Sequence, residues 1–266
     1  MPDKIPTSLP RPGIVSLSIA TLSSLLLSAA AYGFTPSGED ISYDVNGERF
    51  EGYFVSAGEH AKGSVIIVHD WDGLDDYERQ RADMFAEKGY DAFAVDLFGA
   101  GNRPQATEDK QAATRALYED RERMRTLTLA GLAQARTEGA DTRTVIMGYC
   151  FGGAVSLEIA RSGEADNIAA YATFHGGLDT PEGQSYASDT PPIYIAHGGA
   201  DTSISLKDVA TLASTLEQAG VTYEVGIYSG APHAFSVFGS DRYDQRADER
   251  SWETFLQWLE DTQADS

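Results

Sequence analysis

The chain has one cysteine, Cys150, among 266 residues. A lone thiol excludes an intrachain disulfide and the paired-cysteine motifs of zinc and redox sites. It leaves two roles for Cys150, a small buried residue or a reactive group. Cationic side chains are also scarce: 20 Lys and Arg stand against 41 Asp and Glu, a formal charge of −21. An acidic surface of this kind repels nucleic acid and anionic lipid, so no nucleic-acid partner is expected. It fits a solvated acidic face, soluble where salt screens the self-repulsion.

Long apolar runs are missing too, with one exception. Ile14 to Leu27 is apolar, interrupted by serines and Thr21, preceded by Lys4 and Arg11 and followed by Ala29-Ala30-Ala31. That order is the charged, apolar and small-residue layout of a secretory signal. The run falls short of the roughly 20 residues that a spanning helix needs. The expectation is a signal peptide over residues 1–31, cleaved near Ala31, a secreted or periplasmic protein, and no stable membrane insertion after cleavage. Residues 32–266 are then expected to form one domain, as a monomer or small homo-oligomer. No internal repeat or low-complexity segment is present.

From residue 41 the pattern is readable. Ile41–Val45 and Arg49–Val55 alternate around Asn46-Gly47, a strong hairpin signal. Ser64–Val68, Asp91–Val95, Thr144–Met147, Ile168–Phe174, Pro192–Ala196 and Tyr223–Tyr228 read as strands, several of them β-branched runs suited to burial on both faces. Between them lie helical segments at Tyr77–Lys88, Thr107–Thr137, Ala154–Arg161 and Leu206–Ala219, with Asp248–Leu259 closing the chain. Strands alternating with helices predict an α/β fold, a mostly parallel sheet with helices on both faces and an antiparallel hairpin at the N-terminal end.

The chemistry centres on Gly148-Tyr149-Cys150-Phe151-Gly152-Gly153, which reads strand, G-x-C-x-G, helix. This is a nucleophile elbow with a thiol in place of the usual hydroxyl. A thiol at a helix N-terminus is expected to be drawn toward thiolate by the helix dipole. Asp201 follows the strand ending at Ala196, and His233 follows the strand ending at Tyr228. Nucleophile, acid and base thus come in the order that an elbow fold demands, each at the carboxyl end of a strand where ligands bind. Asp201 alone would read as a turn or cap aspartate, and His233 alone as a surface histidine. His60 lies in a polar loop, and His197 is expected to brace the loop bearing Asp201. His69, Asp70 and His175 also end strands, so a metal-assisted hydrolase is an alternative, though no HExxH pair supports it and no metal or other cofactor is expected. A ligand-binding protein on a hydrolase scaffold is a further alternative. A thiol-redox role lacks a resolving cysteine.

The elbow, His197-Gly198-Gly199-Ala200-Asp201 and Gly230-Ala231-Pro232-His233-Ala234-Phe235 resemble the dienelactone hydrolase family, as do Val68 to Leu74, Asp96 to Gly99 and Tyr243 to Leu259. The resemblance covers roughly residues 41–260 and implies the α/β-hydrolase fold. It implies a Cys150–His233–Asp201 triad opening esters or enol-lactones through a thioester, with the backbone N–H groups of Phe151 and Trp71 holding the oxyanion. Asp70 stands where the family places a glutamate that holds the resting thiol; its other reading is a turn cap. Tyr149 and Arg103 are candidate substrate-binding residues. The family's pair of carboxylate-binding arginines is replaced by Ala100 and Val237, which points to a neutral ester or lactone as the small-molecule substrate.

Overall fold

The computed structural model describes residues 1–2, 35–140 and 143–264. The segment read as a signal, residues 1–31, lies almost wholly outside the described residues. The following account concerns the unit Phe34–Ser266.

Eight strands form one sheet in the order β1-β2-β4-β3-β5-β6-β7-β8. The hairpin is β1 (Glu39–Val45) and β2 (Glu48–Val55), turned at Asn46 and Gly47, both at positive φ. It pairs antiparallel within itself, and β2 joins β4 (Asp91–Val95) antiparallel. All other pairings are parallel, through β3 (Ser64–Val68), β5 (Thr144–Tyr149), β6 (Ile168–Phe174), β7 (Ile193–Gly198) and β8 (Tyr223–Tyr228). This is the mixed sheet that the alternating pattern predicts.

Side chains alternate across a strand, so each central strand feeds two cores. Ile66, Val68, Ile146 and Ile195 pack with α3 (Arg121–Thr137), α4 (Phe151–Ser162) and α5 (Leu206–Ala219) on one face. Val65, Ile67, Met147 and Ala196 pack with α1 (Asp76–Glu87) and α6 (Gln245–Ala264) on the other. Each such Val, Ile or Met side chain contributes about 1.5–3 kcal/mol by leaving water. In α5 the buried Val209, Leu212 and Leu216 make the stripe of a surface helix.

The structure moves three expected boundaries. The helical region Thr107–Thr137 is two helices, α2 (Thr107–Glu119) and α3, broken at Asp120, whose carboxylate accepts from Arg123 N at 2.9 Å and caps α3. Helix α4 begins at Phe151, directly after the elbow, and not at Ala154. Helix α6 extends well beyond Asp248–Leu259 at both ends.

Candidate active site

Strand β5 runs into α4 through one residue, Cys150, at φ 50° and ψ −111°. A non-glycine residue there is strained, at a cost of about 1–3 kcal/mol, and persists only where its surroundings enforce it. The glycines supply that enforcement. A Cβ on Gly148 would sit 2.2 Å from the carbonyl of Gly152, and one on Gly152 would sit 2.1 Å from Val68 O. Both obstacles are main chain and cannot swing aside. Cys150 N donates to Phe174 O at 3.0 Å, fixing the turn to β6.

The sheet then brings the other two residues to the thiol. His233 Nε2 lies 3.1 Å from Cys150 Sγ, and His233 Nδ1 lies 2.8 Å from Asp201 Oδ2. The second oxygen of Asp201 accepts from Ser203 N at 2.8 Å and Ile204 N at 2.9 Å. Burial pushes the Asp201 carboxyl up, but the bonds from His233, Ile204 and Ser203 outweigh it and hold the group below its ordinary value. An ionised Asp201 can only accept, so Nδ1 of His233 carries the proton and Nε2 is free to accept from the thiol. His197 Nε2 contacts Ile204 O at 3.2 Å and so braces the Asp201 loop, as its sequence position suggests.

The thiol departs from expectation. Burial, then the nearby Asp70 charge, push its pKa up to about 12, against the opposing N–H of Phe151. The helix N-terminus draws toward thiolate, but desolvation and the carboxylates Asp70, Asp201 and Asp72 win. At rest Cys150 therefore carries a protonated thiol. Its alkylation by iodoacetamide is expected to be slow at neutral pH and to rise about tenfold per pH unit toward alkaline pH, as thiolate forms. A rate independent of pH between neutrality and pH about 10 would contradict this placement of the proton.

A cavity of about 390 Å³ opens over the thiol. Its wall includes Asp70, Trp71, Lys110, His233, Val237 and Arg242. Asp70 accepts from Asp72 N at 3.0 Å, as a turn cap does, and also faces the cavity, while the thiol's hydrogen bond is to His233. Burial and hydrogen bonding with Asp72 raise Asp70 well above the carboxylate range. Burial also pushes Asp72 up, but Asp70 and Lys110 outweigh it and hold it low. Lys110 Nζ lies 3.0 Å from Asp72 and 5.3 Å from the Trp71 ring centre. Lys110 and Arg242 carried no signal in the sequence, since a polar helix and an exposed loop hide which residues face inward.

Other candidates fall elsewhere. Tyr149 is fully buried against Tyr77 and Phe174, away from the cavity wall. Arg103 donates to the carbonyls of Leu74, Gly99 and Asn102 and pairs with Asp96, bracing the loops after β3 and β4. The ring of His69 is committed at both nitrogens, Nδ1 to Asp70 O at 2.6 Å and Nε2 to Leu97 N at 3.2 Å. Among the described residues no three His, Cys, Asp or Glu side chains converge as metal ligands.

A sheet of this order, with an elbow after its central strand and an acid and a histidine after later ones, defines an α/β-hydrolase. The family model for the dienelactone hydrolase family matches residues 50–263. The chain belongs to the dienelactone hydrolase family and is a hydrolase. A Bradyrhizobium protein described as a probable 2-oxo-3-(5-oxofuran-2-ylidene)propanoate lactonase is 29% identical over 74% of this chain and 82% of its own. Carboxymethylenebutenolidase of Rhodococcus opacus is 25% identical over 65% of this chain and 69% of its own. A crystal structure of a dienelactone hydrolase-like promiscuous phosphotriesterase from metagenomic libraries superposes with a TM-score of 0.75 at 24% identity, over 85% of this chain and 98% of that one. That last likeness concerns the fold.

Proposed function

We propose that Cys150, His233 and Asp201 form a catalytic triad that hydrolyses a carboxylic ester or lactone through an acyl-thioester. The observation that carries this reading is the unbroken relay of 3.1 Å and 2.8 Å from thiol to imidazole to carboxylate, at the floor of a cavity. Because the resting thiol holds its proton, His233 acts as general base in the attack itself. Sγ bonds to the substrate carbonyl carbon while the thiol proton passes to His233 Nε2, and Asp201 stabilises the imidazolium. The oxyanion is placed against the N–H groups of Phe151 and Trp71. Collapse breaks the carbon–oxygen bond, and the alkoxide takes the proton from His233. Water then gives a proton to His233 and attacks the thioester, releasing the acid and returning the proton to the thiol.

The neutral reading of the substrate rests on Val237 in the cavity wall and on the carboxyls Asp70, Asp72 and Asp241, which line it alongside Lys110 and Arg242. Export of the protein rests on the signal-like order of residues 1–31.

Rapid quenching during turnover of a short p-nitrophenyl ester should yield an acyl group on the peptide containing Cys150, read by mass spectrometry. Turnover that continues with no acyl group on that peptide, and at the same rate after the thiol is blocked, would overturn the triad. Loss of activity with EDTA but not with thiol alkylation would favour the metal-assisted alternative.

A further inference from the structure

Behind His233, on the side away from the cavity, lies a buried polar chain that the triad does not use. Arg81 of α1 is 1% exposed and pairs with Asp248 of α6. Its guanidinium lies over the rings of Tyr77, Tyr149, Phe238 and Trp252, at 4.2 Å from the centre of Phe238. It donates to Ser236 O at 2.8 Å and to Tyr77 Oη at 3.4 Å. Tyr77 Oη lies 2.7 Å from Ser236 Oγ, which lies 2.8 Å from His175 Nε2. A guanidinium can only donate, so Tyr77 Oη is the acceptor of the Arg81 bond. Tyr77, Ser236 and His175 continue the chain, each hydroxyl able to donate to or accept from its neighbour.

His175 bears two costs at once. Its φ is +41°, where a residue with a side chain is strained. Its Nδ1 is buried with no hydrogen-bond partner among the described residues, where an unmet polar atom is destabilising. A residue kept only for packing would shed both. What this position provides is contact with the base: the His175 ring stands edge-on to His233, with centroids 5.4 Å apart. Ser236 lies in the same turn as His233, and Arg81 holds that turn by its main chain. Burial first, then the neighbouring His233 charge, keep His175 well below the ordinary histidine range, so it stays neutral beside an imidazole that gains a proton in each half-reaction.

We propose that His175, held through Ser236 and Tyr77 by Arg81, is a positioning residue that restricts His233 to the rotamer reaching both Asp201 and Cys150. The inference rests on His233 being the base of the proposed triad. Positioning errors of this kind act on the transition state and leave ground-state binding intact.

The test uses Ser236→Ala and His175→Ala, with His175→Gln returning an amide to the place of Nε2. Leu132→Ala, in the core on the opposite face of the sheet, serves as a comparator for lost stability. Ser236→Ala and His175→Ala should lower kcat by about 10- to 100-fold with KM unchanged. His175→Gln should recover part of the loss, and Leu132→Ala should lower Tm without lowering kcat. The downfield proton NMR signal of His233 Nδ1–H bonded to Asp201 should broaden in the two alanine variants and sharpen again in His175→Gln. Wild-type kcat in both alanine variants, or a kcat loss no greater than that of Leu132→Ala at equal Tm loss, would overturn the inference. His233→Ala separates the two readings: if it is inactive while the His175 and Ser236 variants are not, only the positioning role fails; if it turns over normally, the triad itself fails.

Discussion

Cys150→Ala lowers kcat for ester hydrolysis by at least about 10⁴-fold, the scale on which nucleophile removal acts in hydrolases with a triad. The loss follows from the geometry. The thiol is the group at 3.1 Å from the base, and no other cysteine exists to replace it. Alanine tolerates the site sterically, because the elbow is held by Gly148, Gly152 and the bond from residue 150 N to Phe174 O, none of which involves Sγ. The variant should therefore keep the Tm of the parent while losing turnover, and substrate should still bind, read as an unchanged dissociation constant by calorimetry. Residual kcat within about 100-fold of the parent would mean that His233 activates water directly and that no acyl-enzyme is needed.

Arg81→Met is the change with the largest expected effect on stability, about 3–5 kcal/mol, because it leaves Asp248 buried without its partner. For a domain of this size that is a fall in Tm of about 10 °C. The sign of its pH dependence is fixed by Asp248. Burial already raises that carboxyl, and Arg81 opposes the rise. Without Arg81 the folded-state pKa climbs further above the unfolded value. A group raised in this way contributes stability below the unfolded carboxylate range and loses it as pH rises through the folded value. The penalty of Arg81→Met should thus be smaller near pH 5 than near pH 8, measured as the Tm difference from the parent at each pH. Adding Asp248→Asn should recover part of the loss and flatten that pH dependence. An equal penalty at both pH values would show that packing on the four rings, and not the ion pair, sets the cost.

The strands of the central sheet were legible because parallel strands covered on both faces must be apolar on both, as in Ser64–Val68 and Asp91–Val95. The order of Cys150, Asp201 and His233 was legible because an open sheet gathers the residues that follow its strands at one edge. The break at Asp120 was not, since a single aspartate inside a polar helical stretch ends a helix only if its carboxylate turns back to cap the next. Nor was the proton on Cys150: the dipole at the start of α4 can be read from sequence, but desolvation and the approach of Asp70 depend on the tertiary fold. Arg81 escaped for a related reason. A charged residue in a polar helix looks solvated, and only the packing of α1 against α6 and the His233 turn reveals Arg81 as interior.

The elbow is a socket made entirely of main chain. Its tightness comes from Gly148 against Gly152 and from Gly152 against Val68 O, and none of these contacts involves Sγ of Cys150. Scaffold and reactive atom are thereby separable parts. Sulfur or oxygen can be mounted in the same socket, and the choice between a soft, polarisable attacker and a hard one can drift through substitution at a single codon without any repacking of the sheet beneath it.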